Sequence, residues 1–173
     1  MKIVIVGAGM VGLAAANLMA NNRQLRITVI DAGSRPVFDP GEDYALRVSA
    51  IAPGSVVILN KTGAWKEVAA TRISPYRDMK VWDAAGNVEG PETLTFDAAE
   101  FAVPQLGFIV ENVLIRHALL NRLEQSSATI SFDARIATVA RAGRRFAIEL
   151  ESGQLLEPEL LVGADGARSL IRS

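Results

Sequence analysis

A chain of 173 residues, half of them apolar and 21% charged, has the length of one domain and enough apolar side chain for a sizeable core. Its formal net charge of −1 supplies no basic face for nucleic acid, and its apolar content excludes a disordered, solvating chain. Cysteine is absent and His117 is the single histidine, so thiolate sites, disulfides and histidine-cluster zinc sites are removed. What remains is chemistry that a bound cofactor carries for the protein.

Met1 to Ala20 is almost wholly apolar behind Lys2, as a secretory signal would be, but Gly7, Gly9 and Gly12 interrupt it. It lacks the roughly 20 uninterrupted apolar residues of a membrane span, so the expectation is a soluble, cytoplasmic protein. Lys2 to Val6 is a β-branched run, predicted as a strand buried on both faces. A glycine-rich stretch follows, then a predicted helix over Leu13 to Asn21 and a second strand over Arg26 to Ile30 that closes at Asp31. Residues 33–43 read as a loop, Leu46 to Ile51 as extended, Pro53 as the opening of a helix toward Lys61, and Trp65 to Ala70 as a short helix.

From Ile73 the pattern changes. Strands are predicted at Met79 to Trp82 and Thr93 to Phe96, then an extended Gly107 to Val110 and a helix over Val113 to Leu123. Thr129 to Phe132, Arg135 to Val139, Phe146 to Leu150 and Gln154 to Leu156 read as a β-meander. Arg141, Arg144 and Arg145 flank its turn at Gly143, a solvated hairpin end. Leu160 to Val162 returns as a buried strand running into Gly163-Ala164-Asp165-Gly166, with a helix expected near Arg168. Alternating strands and helices followed by strands alone imply an α/β fold, a parallel sheet carrying an antiparallel excursion.

Gly7-x-Gly9-x-x-Gly12 lies directly between a predicted strand and a predicted helix. Gly7 permits the tight turn, Gly9 lets backbone approach a pyrophosphate, and Gly12 lets helix pack on strand. The helix N-terminus offers N–H groups and a positive dipole end to phosphates, which brings Met10 and Val11 into the candidate set. Asp31 stands 24 residues after Gly7, near the usual distance for an acid that accepts from a ribose hydroxyl. An acid there repels a 2′-phosphate and disfavours NADP in this site. The fingerprint by itself does not separate NAD from the ADP half of FAD.

The order Leu46-Arg47-Val48-Ser49-Ala50-Ile51, Val81-Trp82-Asp83, Ile109-Val110-Glu111-Asn112 and Leu161 to Ser169, with its Ala-Asp-Gly-x-x-Ser segment, resembles the N-terminal part of the FAD-dependent aromatic hydroxylases. The resemblance is greatest to the ubiquinone-biosynthesis branch, the octaprenylphenol hydroxylases, and covers essentially the whole chain. It implies a Rossmann-like FAD-binding domain over 1–72 and 106–173, an inserted β-meander, and part of a β-rich substrate domain over 73–105. It implies FAD as cofactor, NADH or NADPH as electron donor, and a phenolic small molecule as substrate. Through a lipid substrate it further implies peripheral membrane or multi-enzyme association.

Carried over by position, the three glycines cradle the pyrophosphate and Asp31, where the family more often has glutamate, holds the ribose. Arg47 approaches the flavin side, Asn112 stands where the family often has arginine or glutamine, and Asp165 with Gly166 forms the Asp-Gly motif. The family's downstream Gly-Asp segment has no counterpart here, so the chain is expected to be an N-terminal portion, inactive alone, whose strands around 79–96 present an open edge and favour self-association. An oxidoreductase of another reaction type and a non-catalytic nucleotide-binding module remain the alternatives. His117 is expected to be a surface or satisfied helix histidine, and Trp65 and Trp82 to serve packing rather than chemistry.

Overall fold

In the computed structural model, which describes residues 1–143 and 145–172, the described residues form twelve strands and four helices. They run β1 (Lys2–Val6), α1 (Met10–Ala20), β2 (Arg26–Ile30), β3 (Val48–Ile51), α2 (Pro53–Thr62), α3 (Trp65–Thr71), β4 (Ser74–Tyr76) and β5 (Asp78–Val81). Then come β6 (Leu94–Asp97), β7 (Gly107–Glu111), α4 (Asn112–Leu123), β8 (Thr129–Ser131), β9 (Ile136–Ala142), β10 (Arg145–Leu150), β11 (Leu155–Leu156) and β12 (Leu160–Gly163).

Strand β1 sits at the centre because its side chains are apolar on both faces. Ile3 and Ile5 point into one core with Leu13 of α1 and with Leu114, Ile115 and Leu119 of α4. Val4 and Val6 point into a second core with Ile148 and Leu150 of β10. A strand covered by helices on one side and by a second sheet on the other must be apolar at every position, as Lys-Ile-Val-Ile-Val nearly is. Its sheet is fully parallel, in the order β12-β1-β2-β8. The α1–α4 contact also holds one buried polar group, Asn17, whose Nδ2 donates to the carbonyls of Leu13 and Leu119 at 2.9 and 3.0 Å.

Three antiparallel units complete the molecule: β11-β10-β9, β3-β7-β4 and the two-stranded β5-β6. The α/β class and the parallel sheet are as the sequence predicts, and the departures have local causes. Strand β8 leaves the meander and pairs in parallel with β2, with Thr28 and Thr129 hydroxyls 3.0 Å apart. Helix α1 starts at Met10 rather than Leu13, because Gly9 is extended and serves as its N-cap. Strand β4 is obscured in the sequence by Pro75, which an edge strand tolerates.

The helix expected near Arg168 is absent among the described residues, which form turns there. Asp165 accepts from the Ser169 hydroxyl at 2.6 Å and from the Leu170 N–H at 2.7 Å, bonds that compete with a helical ladder. Arg144, one of the arginines the sequence sets beside Gly143, and Ser173 lie outside the described residues. Trp65 packs on Phe108 with ring centroids 5.2 Å apart. Trp82 does not pack as expected: it is half exposed beside the β5-β6 pair, where Met79, Val81 and Leu94 are also exposed. Among the described residues β5 pairs only with β6, so both outer edges of this pair are open.

Candidate functional site

The register of the parallel sheet assembles the site. Val6 of β1 is level with Ile30 of β2 and with Gly163 of β12. The next residues, Gly7, Asp31 and Ala164, therefore emerge side by side at the carboxyl ends of three adjacent strands. From β1 the chain builds the sheet outward through β2 and β8, then returns to add β12 on the other side. That reversal is the topological switch point at which open α/β sheets bind ligands. A cavity of about 450 Å³ opens there, within the range of small-molecule sites.

Of the residues singled out in the sequence, Gly7, Gly9, Met10, Asp31, Arg47, Asn112, Asp165 and Gly166 line this cavity. Two do not. Val11 is 75% exposed and faces an apolar groove with Leu18 and Ile58 instead. Gly12 is buried beneath the loop, where an added Cβ would overlap the carbonyl oxygen of Gly7.

The glycine loop is held from several sides. Gly7 has φ +107°, a conformation L side chains rarely adopt, and a Cβ there would overlap the Ala164 carbonyl. Asp31 closes the loop on itself, accepting from the Ala8 N–H at 2.6 Å and the Gly33 N–H at 2.8 Å. Gly9 is different: nothing lies within 4 Å of where its Cβ would stand. No side chain caps α1, and no acid sits in its first turn, so its N-terminal N–H groups and positive dipole end are open to an anion.

The opposite wall comes from α4 and the segment before β3. Asn112 accepts from the Ser49 hydroxyl at 2.6 Å, and its N–H donates to the Arg47 carbonyl at 3.0 Å. This places exposed Arg47 at the mouth of the cavity. Behind them Glu111, 3% exposed, accepts from the Ala45 N–H at 2.7 Å and from Arg72 at 2.6 and 3.2 Å. The Arg72 guanidinium lies 5.2 Å from the Phe38 ring centroid and 4.6 Å from that of Tyr44, which makes one knot of this corner.

Sequence reasoning misses several contributors. Ala45 and Arg116 line the main cavity, and a second cavity of about 310 Å³, with Ala32, Arg135 and Glu151 in its wall, shares Gly7, Asp31 and Asp165 with the first. A signal for Arg116 is nonetheless present, since it stands four residues after Asn112 on one helix and hence on the same face.

Asp165 faces both cavities. Burial pushes its carboxyl up, but the Ser169 hydroxyl and backbone N–H groups outweigh that and hold it below the ordinary aspartate range. A lowered carboxylate stabilises the fold fully above its unfolded pKa and loses that contribution as pH falls through its folded value. Asp165→Asn is therefore expected to lower the urea midpoint at neutral pH, the gap closing as the pH drops below about 4. A gap that persists undiminished in acid would refute this role.

His117 approaches Asn121 at 3.0 Å and Glu67 at 3.7 Å on the far side of α4, a satisfied helix histidine. Among the described residues no group of three or more histidine, aspartate or glutamate side chains could hold a metal, and no helix is long and apolar enough to cross a membrane.

Comparison with known proteins agrees with this geometry. The chain is 37% identical to the mitochondrial ubiquinone biosynthesis monooxygenase COQ6 of Xenopus tropicalis, over 99% of this chain and 39% of that protein. It is 35% identical to the 3-demethoxyubiquinol 3-hydroxylase of Escherichia coli, over 99% of this chain and 42% of the relative. The chain thus spans about two fifths of the length of these curated relatives. Among solved structures, a mutant of P. aeruginosa PqsL superposes with a TM-score of 0.76 at 21% identity, over 99% of this chain and 44% of that one. A 2-methyl-3-hydroxypyridine-5-carboxylic acid oxygenase mutant does so at 0.71 and 20%, over 97% and 40%; at these identities the likeness shows the fold. The FAD binding domain family matches residues 1–173, the whole length, and to that family the chain belongs.

Proposed function

We propose that the chain is the FAD-binding portion of an NAD(P)H-dependent aromatic-ring hydroxylase that acts on a prenylated phenol of ubiquinone biosynthesis. The observation that carries this is the meeting of Gly7, Asp31 and Asp165 at one crest of the parallel sheet, beside a glycine whose Cβ position is open space. A dinucleotide is long and has two ends, and the two cavities joined through Gly7, Asp31 and Asp165 suit such a shape.

In this reading the backbone of Gly7, Gly9 and Met10 borders the pyrophosphate. Asp31 retains lone pairs for a ribose hydroxyl after accepting from Ala8 and Gly33. The adenine end enters the cavity beside Ala32 and Arg135, and the flavin end passes Arg47 and Asn112. When bound, the flavin supplies the redox and oxygen chemistry, with NADH or NADPH as donor. The chain's own residues bind and orient it, a task that needs neither cysteine nor a histidine pair. The relatives' names support the substrate class. Residues 73–105, with the open β5-β6 pair, belong in this proposal to the substrate domain. Self-association through those edges, and association with a lipid surface or enzyme assembly, follow from the same reading.

Titration of the purified chain with FAD, followed by flavin absorbance and fluorescence, is expected to show saturable binding that ADP displaces. NAD is expected to bind far more weakly. A chain that takes up nicotinamide and leaves flavin free would overturn the assignment in favour of another oxidoreductase class.

A further inference from the structure

Arg116 is partly buried on α4, and its Nε–H donates to the Ala8 carbonyl at 3.0 Å. The same Ala8 gives its N–H to Asp31 at 2.6 Å, so an acid and a base hold one loop residue from opposite sides. The bond to Ala8 uses one of the five N–H donors of a guanidinium, and it orients the planar fork that carries the rest. Among the described residues no carboxylate lies within ion-pair distance of Arg116. The two acids that line this cavity turn to other groups, Asp31 accepting from Ala8 and Gly33, Asp165 from Ser169 and Leu170. A partly buried cation facing a cavity without an anionic partner is complementary to an anionic ligand.

We propose that Arg116 is a phosphate-binding residue of this site: through Nε it fixes the glycine loop, and through its terminal nitrogens it neutralises the pyrophosphate of the bound dinucleotide. The inference rests on the dinucleotide reading above and adds a residue outside the glycine fingerprint. The single positive charge of Arg116 offsets one of the two negative charges of a pyrophosphate diester. Arg47 stands exposed at the mouth, whereas Arg116 is tethered within, so Arg116 is pre-organised for the contact.

The test is calorimetric titration of the full 173-residue chain with ADP and with adenosine, at low and high salt, for the wild type, Arg116→Met, Arg116→Gln and Arg116→Lys. Arg116→Met is expected to weaken ADP binding roughly 10- to 100-fold and to leave adenosine within about twofold, the range of a lost charge-assisted bond. Arg116→Gln keeps a donor for Ala8 but no charge, and should lose as much ADP affinity. Arg116→Lys should retain more than either, and the salt dependence of ADP binding should flatten in the two neutral variants. Equal losses for ADP and adenosine would reduce Arg116 to a loop-positioning residue and overturn the proposal. Full ADP affinity in Arg116→Gln would overturn it too, and that variant decides the matter if Arg116→Met fails to fold. A wild-type chain that binds neither ADP nor FAD would instead refute the dinucleotide reading, and this inference with it.

Discussion

Gly12→Ala is expected to destabilise the chain by about 3 kcal/mol, the upper range for overpacking, and to abolish FAD binding with it. The added Cβ would overlap the Gly7 carbonyl oxygen, which is backbone and has no rotamer through which to escape. Gly7 cannot retreat either, because its N–H donates to the Ile30 carbonyl at 2.8 Å and the Ala164 carbonyl fills the place where a Cβ on Gly7 would stand. Helix α1 would have to lift off β1, and the core of Ile3, Ile5 and Leu13 would open. Gly9→Ala provides the contrast. Its φ of −74° and ψ of 177° suit any residue and its Cβ meets nothing, so stability should change by no more than about 1 kcal/mol, that of a weakened N-cap. FAD affinity should nonetheless fall at least roughly tenfold, because the new methyl fills the open space that the proposed reading gives to the pyrophosphate. Urea unfolding and flavin titration of both variants check the pair. Wild-type stability in Gly12→Ala, or wild-type binding in Gly9→Ala, would show that the loop does not work in this way.

Removal of Glu111 is the second large effect. Its side chain is 4% exposed and that of Arg72 is 18% exposed, so neither charge is bathed in water. Glu111→Ala leaves Arg72 without its counter-ion and Ala45 N–H without an acceptor, and should cost about 3–5 kcal/mol. Against the roughly 5–15 kcal/mol that holds a domain folded, such a loss is severe. Replacing both partners by apolar residues of similar volume should recover much of it, since a buried pair often contributes little beyond its own desolvation. The measurement is a double-mutant cycle with Arg72→Met and Glu111→Leu, read by urea midpoints. Additive losses would mean the two side chains act independently. The functional consequence is specific, because Glu111 ties down Ala45, two residues before Arg47 at the cavity mouth. The paired apolar variant should therefore fold yet bind FAD less tightly than the wild type.

Much of this site is legible in the amino-acid sequence, for physical reasons that are local. A β-branched run, a glycine turn and a helix start are adjacent in the chain, so their spacing alone reports a strand–loop–helix unit. Asp31 is legible because strand length and sheet pairing tie the end of β2 to the end of β1. The Asp-Gly motif is legible by resemblance, but its local structure is not. The helix expected after it is replaced by turns, because the Asp165 carboxylate takes the Ser169 hydroxyl and Leu170 N–H. The fingerprint assigns Val11 to the cavity, yet the helix turns it toward the groove beside Leu18 and Ile58.

What the sequence by itself determined is the α/β class, the glycine fingerprint with its acid, and the kind of ligand these suit. All of them rest on periodicity and on contacts between near neighbours in the chain. The tertiary structure decided which residues stand around the cavity. Arg116 meets Ala8 across 108 positions, Glu111 meets Arg72 across 39 and Ala45 across 66, and β12 brings Asp165 beside Gly7 from the far end of the chain. Pairings over such distances follow from sheet order and helix packing, which no local pattern of residues encodes. The fingerprint is read from neighbours in the chain, and the fold sets Arg116 against it.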